Sequence, residues 1–224
     1  MTAPSPRAHS HSFVPALGFD WLTPLYDPLI RTLLREQAIK QRVVDGARLE
    51  AGMSVLDLGC GTGTLTLLLK RACPGARVVG VDVDPKVLGI ARAKLAEAGV
   101  EVELLQGAID ELDLPEASFD RVVTSLVLHH LTTEEKRRAL GAVRRLLKPG
   151  GELHVADFGP PQNPLMWVVS RGIRLLDGSD RTEINLNGGL PDLIRAAGFS
   201  PVAESWRTMT PFGTLVVLEA RAAD

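Results

Sequence analysis

Cysteine is scarce, charge is close to balanced, and no long apolar run interrupts the 224 residues of this chain. The two cysteines, Cys60 and Cys73, belong to no CxxC or Cys/His cluster. That excludes a disulfide scaffold and a structural zinc site, leaves no metal expected, and suits a reducing cytoplasm. A formal net charge of −2 exerts no long-range pull on a phosphate backbone, so nucleic acid is not expected as a partner. No apolar stretch reaches the ~18 residues that a membrane span requires, so no integral membrane segment is expected. The N-terminal "MTAPSPRAHSHSF" lacks the apolar core of a secretory signal, and residues 1–20 read as a loose tail.

The remaining composition, 45% hydrophobic and 23% charged, is that of an ordinary globular protein. A chain of this length can bury roughly 70–75% of the surface that it exposes when unfolded, so residues 21–224 are expected to form one domain. Apolar spacing predicts a helix from Leu22 to about Ala47, followed by a strand in "GMSVLDLG" and a helix in "TGTLTLLLKRA". "ARVVGVDVD" reads as the second strand. "PKVLGIARAKLAEAG" is a helix begun by Pro85 and stopped by Gly99. Strands follow in "VEVELLQG", "SFDRVVTSLVLHHL" and "ELHVADF". Before the last of these, Thr132 and Glu135 form a capping-box pattern at the head of "TTEEKRRALGAVRRLLK", whose Arg-rich face reads as solvated surface. Strands alternating with helices imply an α/β fold with a mainly parallel sheet covered on both faces. Beyond Phe158 the rhythm breaks. "LMWVVSRGIRLL" suits a helix, "DGSDRTEINLNGG" a polar loop, and "GLPDLIRAAGF" a last helix. Two strand-like runs, Pro201–Arg207 and Thr214–Arg221, then suggest an antiparallel pair at a sheet edge. Residues 159–188 are the natural place for a substrate cap.

The glycines of "SVLDLGCGTGTL" follow the first strand, where ligands of open α/β sheets bind. A phosphate cradle would need Lys-Ser/Thr after GxxxxG, and none follows. A dinucleotide turn would need GxGxxG, whereas Gly59, Gly61 and Gly63 are spaced GxGxG, with Asp57 two residues ahead. That carboxylate would repel a pyrophosphate and attract an ammonium group. Asp82, 19 residues after Gly63 at the end of the second strand, is placed to accept hydrogen bonds from ribose hydroxyls. A ribose joined to a cationic amino-acid end describes S-adenosylmethionine better than a nicotinamide dinucleotide.

Four segments in order, "VLDLGCGTGTLTLLL", "VVGVDVDPKVLGIAR", "SFDRVVTSLVLHHL" and "AVRRLLKPGGELHVADF", resemble the class I S-adenosylmethionine-dependent methyltransferases. The likeness is strongest to the branch acting on small molecules and quinone precursors. It implies a Rossmann-like, doubly wound sheet of seven mostly parallel strands with an antiparallel last strand. It also implies an enzyme moving a methyl group from S-adenosylmethionine to a small-molecule acceptor. By the same resemblance Asp57, Gly59, Gly61 and Thr62 face the methionine part of the cofactor, Asp82 the ribose and Val83 the adenine ring. Ser125 touches the methionine end, and Tyr26 closes over the cofactor. The family's acid after the third strand is absent. Gly107-Ala108-Ile109 stands there, leaving the backbone of Ala108 and Ile109 or the nearby Asp110 to meet the adenine edge.

His129 and His130 follow the fourth strand and Asp157 closes the fifth, so these three are the candidates for a general base or a substrate contact. The Asp/Asn-Pro-Pro-aromatic run of nucleobase and amide N-methylases is missing, "TSLVLHH" standing in its place. Thr124-Ser125 supply no carboxylates for the metal of catechol-type enzymes, and two cysteines are too few for arsenite methylation. The acceptor atom stays open between O, N, C and S. Two other readings remain: a methyltransferase-like module that binds the cofactor without catalysis, and a nicotinamide oxidoreductase.

Overall fold

The computed structural model describes residues 36–168 and 179–223; the tail, the first part of the expected N-terminal helix, and Tyr26 lie outside them. Helix α1 (Glu36–Ala47) leads into β1 (Ser54–Leu58), α2 (Thr64–Ala72), β2 (Arg77–Asp82), α3 (Pro85–Glu97) and β3 (Glu103–Gln106). Then come β4 (Phe119–Ser125), a 3-10 turn at Leu128–His130, α4 (Thr133–Leu146) and β5 (Leu147–Phe158). The described chain finishes with α5 (Ser179–Leu186), α6 (Leu190–Ala196), β6 (Phe199–Thr210) and β7 (Gly213–Ala222).

The strands form one sheet in the order β3-β2-β1-β4-β5-β7-β6. All pairs from β3 to β5 are parallel, and β7 runs antiparallel to both β5 and β6. This is the doubly wound, seven-stranded arrangement that the alternation of elements implies. The order reverses between β1 and β4, which opens a crevice above their carboxyl ends. The closing strand β7 enters between β5 and β6, so only β6 of the antiparallel pair lies at the edge.

Burial on both faces explains the continuous apolar runs of the central strands. On one face Leu56, Val79, Val122 and Val155 pack with Leu140, Val143 and Leu146 of α4 and Ile194 of α6. On the other, Val55, Val78, Val123 and Ala156 pack with Ile39 and Val43 of α1 and Leu65 and Leu69 of α2. Each fully buried Val or Leu side chain contributes about 1.5–3 kcal/mol relative to an exposed one. Local signals fix the helix ends. The Asp84 side chain accepts the Lys86 amide at 2.8 Å ahead of Pro85. The Thr132–Glu135 capping box is formed in both directions.

Two expectations need correction. The stretch read as a polar loop, "DGSDRTEINLNGG", contains α5. Its inward side carries Thr182 and Asn185, both buried, beside Leu186, so hydrophobic periodicity was weak although the helix is amphipathic in its burial. The charged face of α4 is solvated at Arg137, but its neighbour Lys136 is wholly buried. Lys136 lies four and seven residues ahead of Leu140 and Val143, on the apolar stripe.

Candidate functional site

Tight turns at the carboxyl ends of β1 and β4 build the centre of the crevice. Gly59 adopts a φ of 68°, and the amides of Gly59 and Cys60 both donate to the Val81 carbonyl, at 2.8 and 2.9 Å. This folds the glycine loop over the end of β2. A β-carbon on Gly59 would lie 2.3 Å from a methyl of Val127, so the loop after β4 packs directly on the backbone there. Gly61 also has a positive φ, 52°, but faces open space. Leu126, the first residue after β4, holds a φ of 60° that branched apolar side chains rarely adopt. Such strain concentrates at functional sites.

Asp57 and Asp82 flank the glycine loop. Asp57 is 1% exposed, and its Oδ2 accepts from the Thr66 hydroxyl at 2.6 Å. Burial pushes its carboxyl up to about 6; the Thr66 hydrogen bond and the charge of Lys40 pull the other way. Asp82 is already engaged through both oxygens: Oδ2 accepts from the Gly61 amide at 2.8 Å and Oδ1 from the Asp84 amide at 3.0 Å. Val83, next in the chain, is 55% exposed. The Ile109 side chain is buried in the core, so it can offer a ligand only backbone. Asp110, considered as the missing acid, is bound by Arg138 Nε at 2.9 Å. The Thr62 hydroxyl accepts from Lys94 Nζ at 3.2 Å, and the same ammonium reaches Thr64 Oγ1 at 2.8 Å. Ser125 Oγ is buried at the end of β4 without a hydrogen-bond partner.

The ends of β4 and β5 bring together His129 and Asp157, 28 residues apart in sequence. His129 Nδ1 lies 2.8 Å from Asp157 Oδ1, and the His129 amide donates to Oδ2 at 3.3 Å. The Phe158 amide donates to Oδ1 at 2.7 Å. Burial alone would raise the Asp157 carboxyl, but His129 beside it, with these hydrogen bonds, holds it below its ordinary value. An ionised Asp157 selects the tautomer in which Nδ1 carries the proton, leaving Nε2 of a neutral ring as the acceptor. Phe158 packs edge-on against His129 at a centroid distance of 4.9 Å. The His130 ring stands 3.9 Å from that of His129 at 45°. It has no carboxylate partner of this kind. Desolvation of its ring, and then the charge of His129, push it toward the neutral form, although the residue as a whole is exposed. The three candidates therefore divide into one coupled pair and a neighbour. Among the described residues, no group of three or more His, Cys, Asp or Glu could hold a metal ion, and no helix is long and apolar enough to cross a membrane.

Known proteins match the same elements. The methyltransferase-domain family matches residues 55–151. A demethylmenaquinone methyltransferase of Thermus thermophilus is 39% identical over 155 residues, covering 68% of this chain and 70% of its own. An uncharacterized methyltransferase of Synechocystis is 34% identical over 190 residues, 84% of either chain. The chain belongs to the class I S-adenosylmethionine-dependent methyltransferases. It is an enzyme that uses S-adenosylmethionine to methylate a small molecule, and that membership sets aside the nicotinamide alternative. A solved phosphoethanolamine N-methyltransferase 2 of Haemonchus contortus, in complex with phosphomonomethylethanolamine and S-adenosylhomocysteine, shares the fold. Its TM-score is 0.68 at 14% identity, over 83% of this chain and 52% of that one.

The residues of this methyltransferase suit the cofactor chemically. A buried carboxyl with a raised pKa gains from a cation, an exposed valine from a flat ring, and an orphaned serine hydroxyl from a polar partner. The glycines separate two kinds of defect. Gly59→Ala combines left-handed strain of about 1–2 kcal/mol with the Val127 clash, so its melting temperature is expected to fall. Gly61→Ala meets no protein atom within 4 Å and carries the strain alone. It is expected to stay folded while its S-adenosylmethionine affinity, read by calorimetry, drops by more than its stability does. Equal loss of stability in the two variants would contradict this division.

Sequence reasoning missed Lys94, which braces the glycine loop, Lys136, which holds the Leu131 carbonyl at the end of the His turn, and Asn185, whose amide donates to the Phe158 carbonyl. Helical phase pointed to Lys136. Lys94 follows Ala91 at i+3, and Ala91 lies 3.0 Å from where a Gly63 β-carbon would sit.

Proposed function

We propose that this methyltransferase alkylates a ring carbon of a reduced quinone precursor, with His129 as general base and Asp157 as the residue that orients it. The hydrogen bond between His129 Nδ1 and Asp157 carries the reading, because it fixes one ring nitrogen on a buried carboxylate at the carboxyl edge of the sheet and leaves Nε2 as the nitrogen that can take a proton. The demethylmenaquinone methyltransferase of Thermus thermophilus supports the acceptor class.

In this reading Asp57 receives the ammonium end of the cofactor, Asp82 the ribose and Val83 the adenine face. The backbone at Gly59, Gly61, Ala108 and Ile109 lines the same groove, with Ser125 at the methionine end. Tyr26, carried over by resemblance alone, would close it. Thr62 serves from the loop's outer side, held by Lys94. Bound S-adenosylmethionine supplies a methyl group already activated on a sulfonium. The chain's task is therefore alignment, worth on the order of 7–11 kcal/mol, and exclusion of water. A carbon acceptor must also lose a proton. His129 Nε2 is the group to take it, directly or from a ring hydroxyl whose oxyanion makes the carbon nucleophilic. Within the expected cap 159–188, α5 serves in this reading as acceptor-side cover, packing on the Leu128–His130 turn and on β5. The scarcity of cysteine supports a cytoplasmic setting.

Incubation with S-adenosylmethionine and chemically reduced demethylmenaquinone tests the acceptor. A product heavier by one methyl, formed together with S-adenosylhomocysteine, is expected by mass spectrometry. Cofactor binding with no methylated quinol would overturn the acceptor assignment. Silence across a broad acceptor panel would favour a binding module.

A further inference from the structure

Helix α5 buries an amide of which only one end is used. Asn185 is 1% exposed, and its Nδ2 donates to the Phe158 carbonyl at 3.4 Å. That contact sets which way the amide faces, because only its NH2 end can serve a carbonyl. The other end, Oδ1, is shielded from solvent and accepts no hydrogen bond among the described residues. An acceptor in this state carries its full desolvation cost until a donor arrives.

Asn185 helps to line a cavity of about 120 Å³, together with Phe158, Pro160, Leu190, Val216 and Leu218. An apolar cavity of roughly 150 Å³ accepts a benzene ring, so this space suits one edge of a ring. Glu204 and Arg207 also border it, but their charges are spent on each other: Arg207 Nε donates to Glu204 Oε1 at 2.6 Å, and Nη2 donates to Oε2. What remains is apolar wall and one unsatisfied acceptor, which suits an uncharged ring bearing a hydroxyl. The cavity adjoins the proposed base. Val216 is the β7 partner of Asp157 in the sheet register, so these two side chains stand side by side on one face. Asp157 holds His129, and the Phe158 ring packs against the same imidazole.

We propose that this cavity receives a ring hydroxyl of the methyl acceptor and that Asn185 Oδ1 accepts its hydrogen bond. Asn185 is then a specificity-determining residue. It favours the reduced acceptor, whose ring oxygens donate, over the oxidised one, whose carbonyl would set its lone pairs against Oδ1. The distinction serves the chemistry. A reduced ring is electron-rich enough to be alkylated by a sulfonium, whereas the oxidised ring is itself an electrophile.

This inference rests on the acceptor class proposed above, and its test separates the two. The full-length protein, saturated with S-adenosylhomocysteine to prevent turnover, is titrated by calorimetry without oxygen. The probes are naphthohydroquinone and the naphthalene that carries fluorine in place of both hydroxyls. The wild type is expected to prefer the hydroquinone. Asn185→Leu should weaken the hydroquinone about tenfold and leave the difluoride within about twofold. A purely structural asparagine would lower both affinities together, so equal losses, or an unchanged hydroquinone affinity, overturn the inference. If the variant does not fold, NMR of the wild-type Asn185 side-chain amide decides. Its resonances should shift with the hydroquinone and stay in place with the difluoride. Resonances that the hydroquinone leaves unmoved would mean that water alone fills the cavity, and would overturn the inference as well. Failure to methylate the hydroquinone when S-adenosylmethionine is supplied would strike the acceptor assignment alone, because the affinities are read without turnover.

Discussion

Asp57→Asn is expected to raise the melting temperature of the free protein while weakening S-adenosylmethionine binding by roughly 10- to 100-fold. The carboxyl is fully buried, and desolvation lifts it from 3.8 to about 6. Between these values the folded protein keeps a proton that the unfolded chain releases, so stability falls as pH rises through the window. The full penalty, about 3 kcal/mol, is present above pH 6. Asparagine removes the ionisation and still accepts the Thr66 hydrogen bond. The two proteins should melt alike near pH 4, diverge up to about pH 6 and stay apart by a constant margin to pH 8, each kcal/mol being worth about 2–4 °C for a chain of this size. Cofactor binding follows the opposite sign. A cation stabilises the ionised carboxyl, so wild-type affinity should climb as pH passes through about 6, and the variant should lack that step. A variant that melts lower at pH 8 and binds normally would mean that Asp57 only organises its own loop.

His129→Gln is expected to reduce turnover by about 10²–10⁴-fold with little change in cofactor affinity, the range for loss of a positioned general base. Asp157→Asn should approach the same deficit by a different route. Its amide can present N–H to Nδ1, which then accepts, forcing the ring proton onto Nε2. It also removes the buried anion, so the pH profile should change shape as well as height. Initial rates by product mass across pH 5–9, with calorimetry for the cofactor, check both variants. More than a tenth of wild-type activity in His129→Gln would remove that residue from the mechanism.

Much of this site could be read before any coordinates. The β1 turn announced itself through three alternating glycines, and the structure brings Asp57 and Asp82, singled out beside it, to the two flanks of that loop. Those signals are local, because the segment that makes the turn also carries or abuts the two carboxylates. The pairing of His129 with Asp157 is not local. It depends on β4 and β5 lying side by side, with Ser125 opposite Ala156, a register that no sequence spacing records. Helix α5 was hidden because its buried side is polar. Lys136 was hidden for a related reason: a charged residue amid arginines reads as solvated unless helical phase is weighed against composition.

Asp82 has a consequence for how binding is distributed in time. Its two oxygens are held by the Gly61 and Asp84 amides within the fold itself. The rotational freedom of that carboxylate is therefore surrendered as the chain folds, not when the nucleoside arrives. On the proposed assignment of Asp82 to the ribose, that end of the groove works as a finished template, against which the more adaptable parts of the site settle.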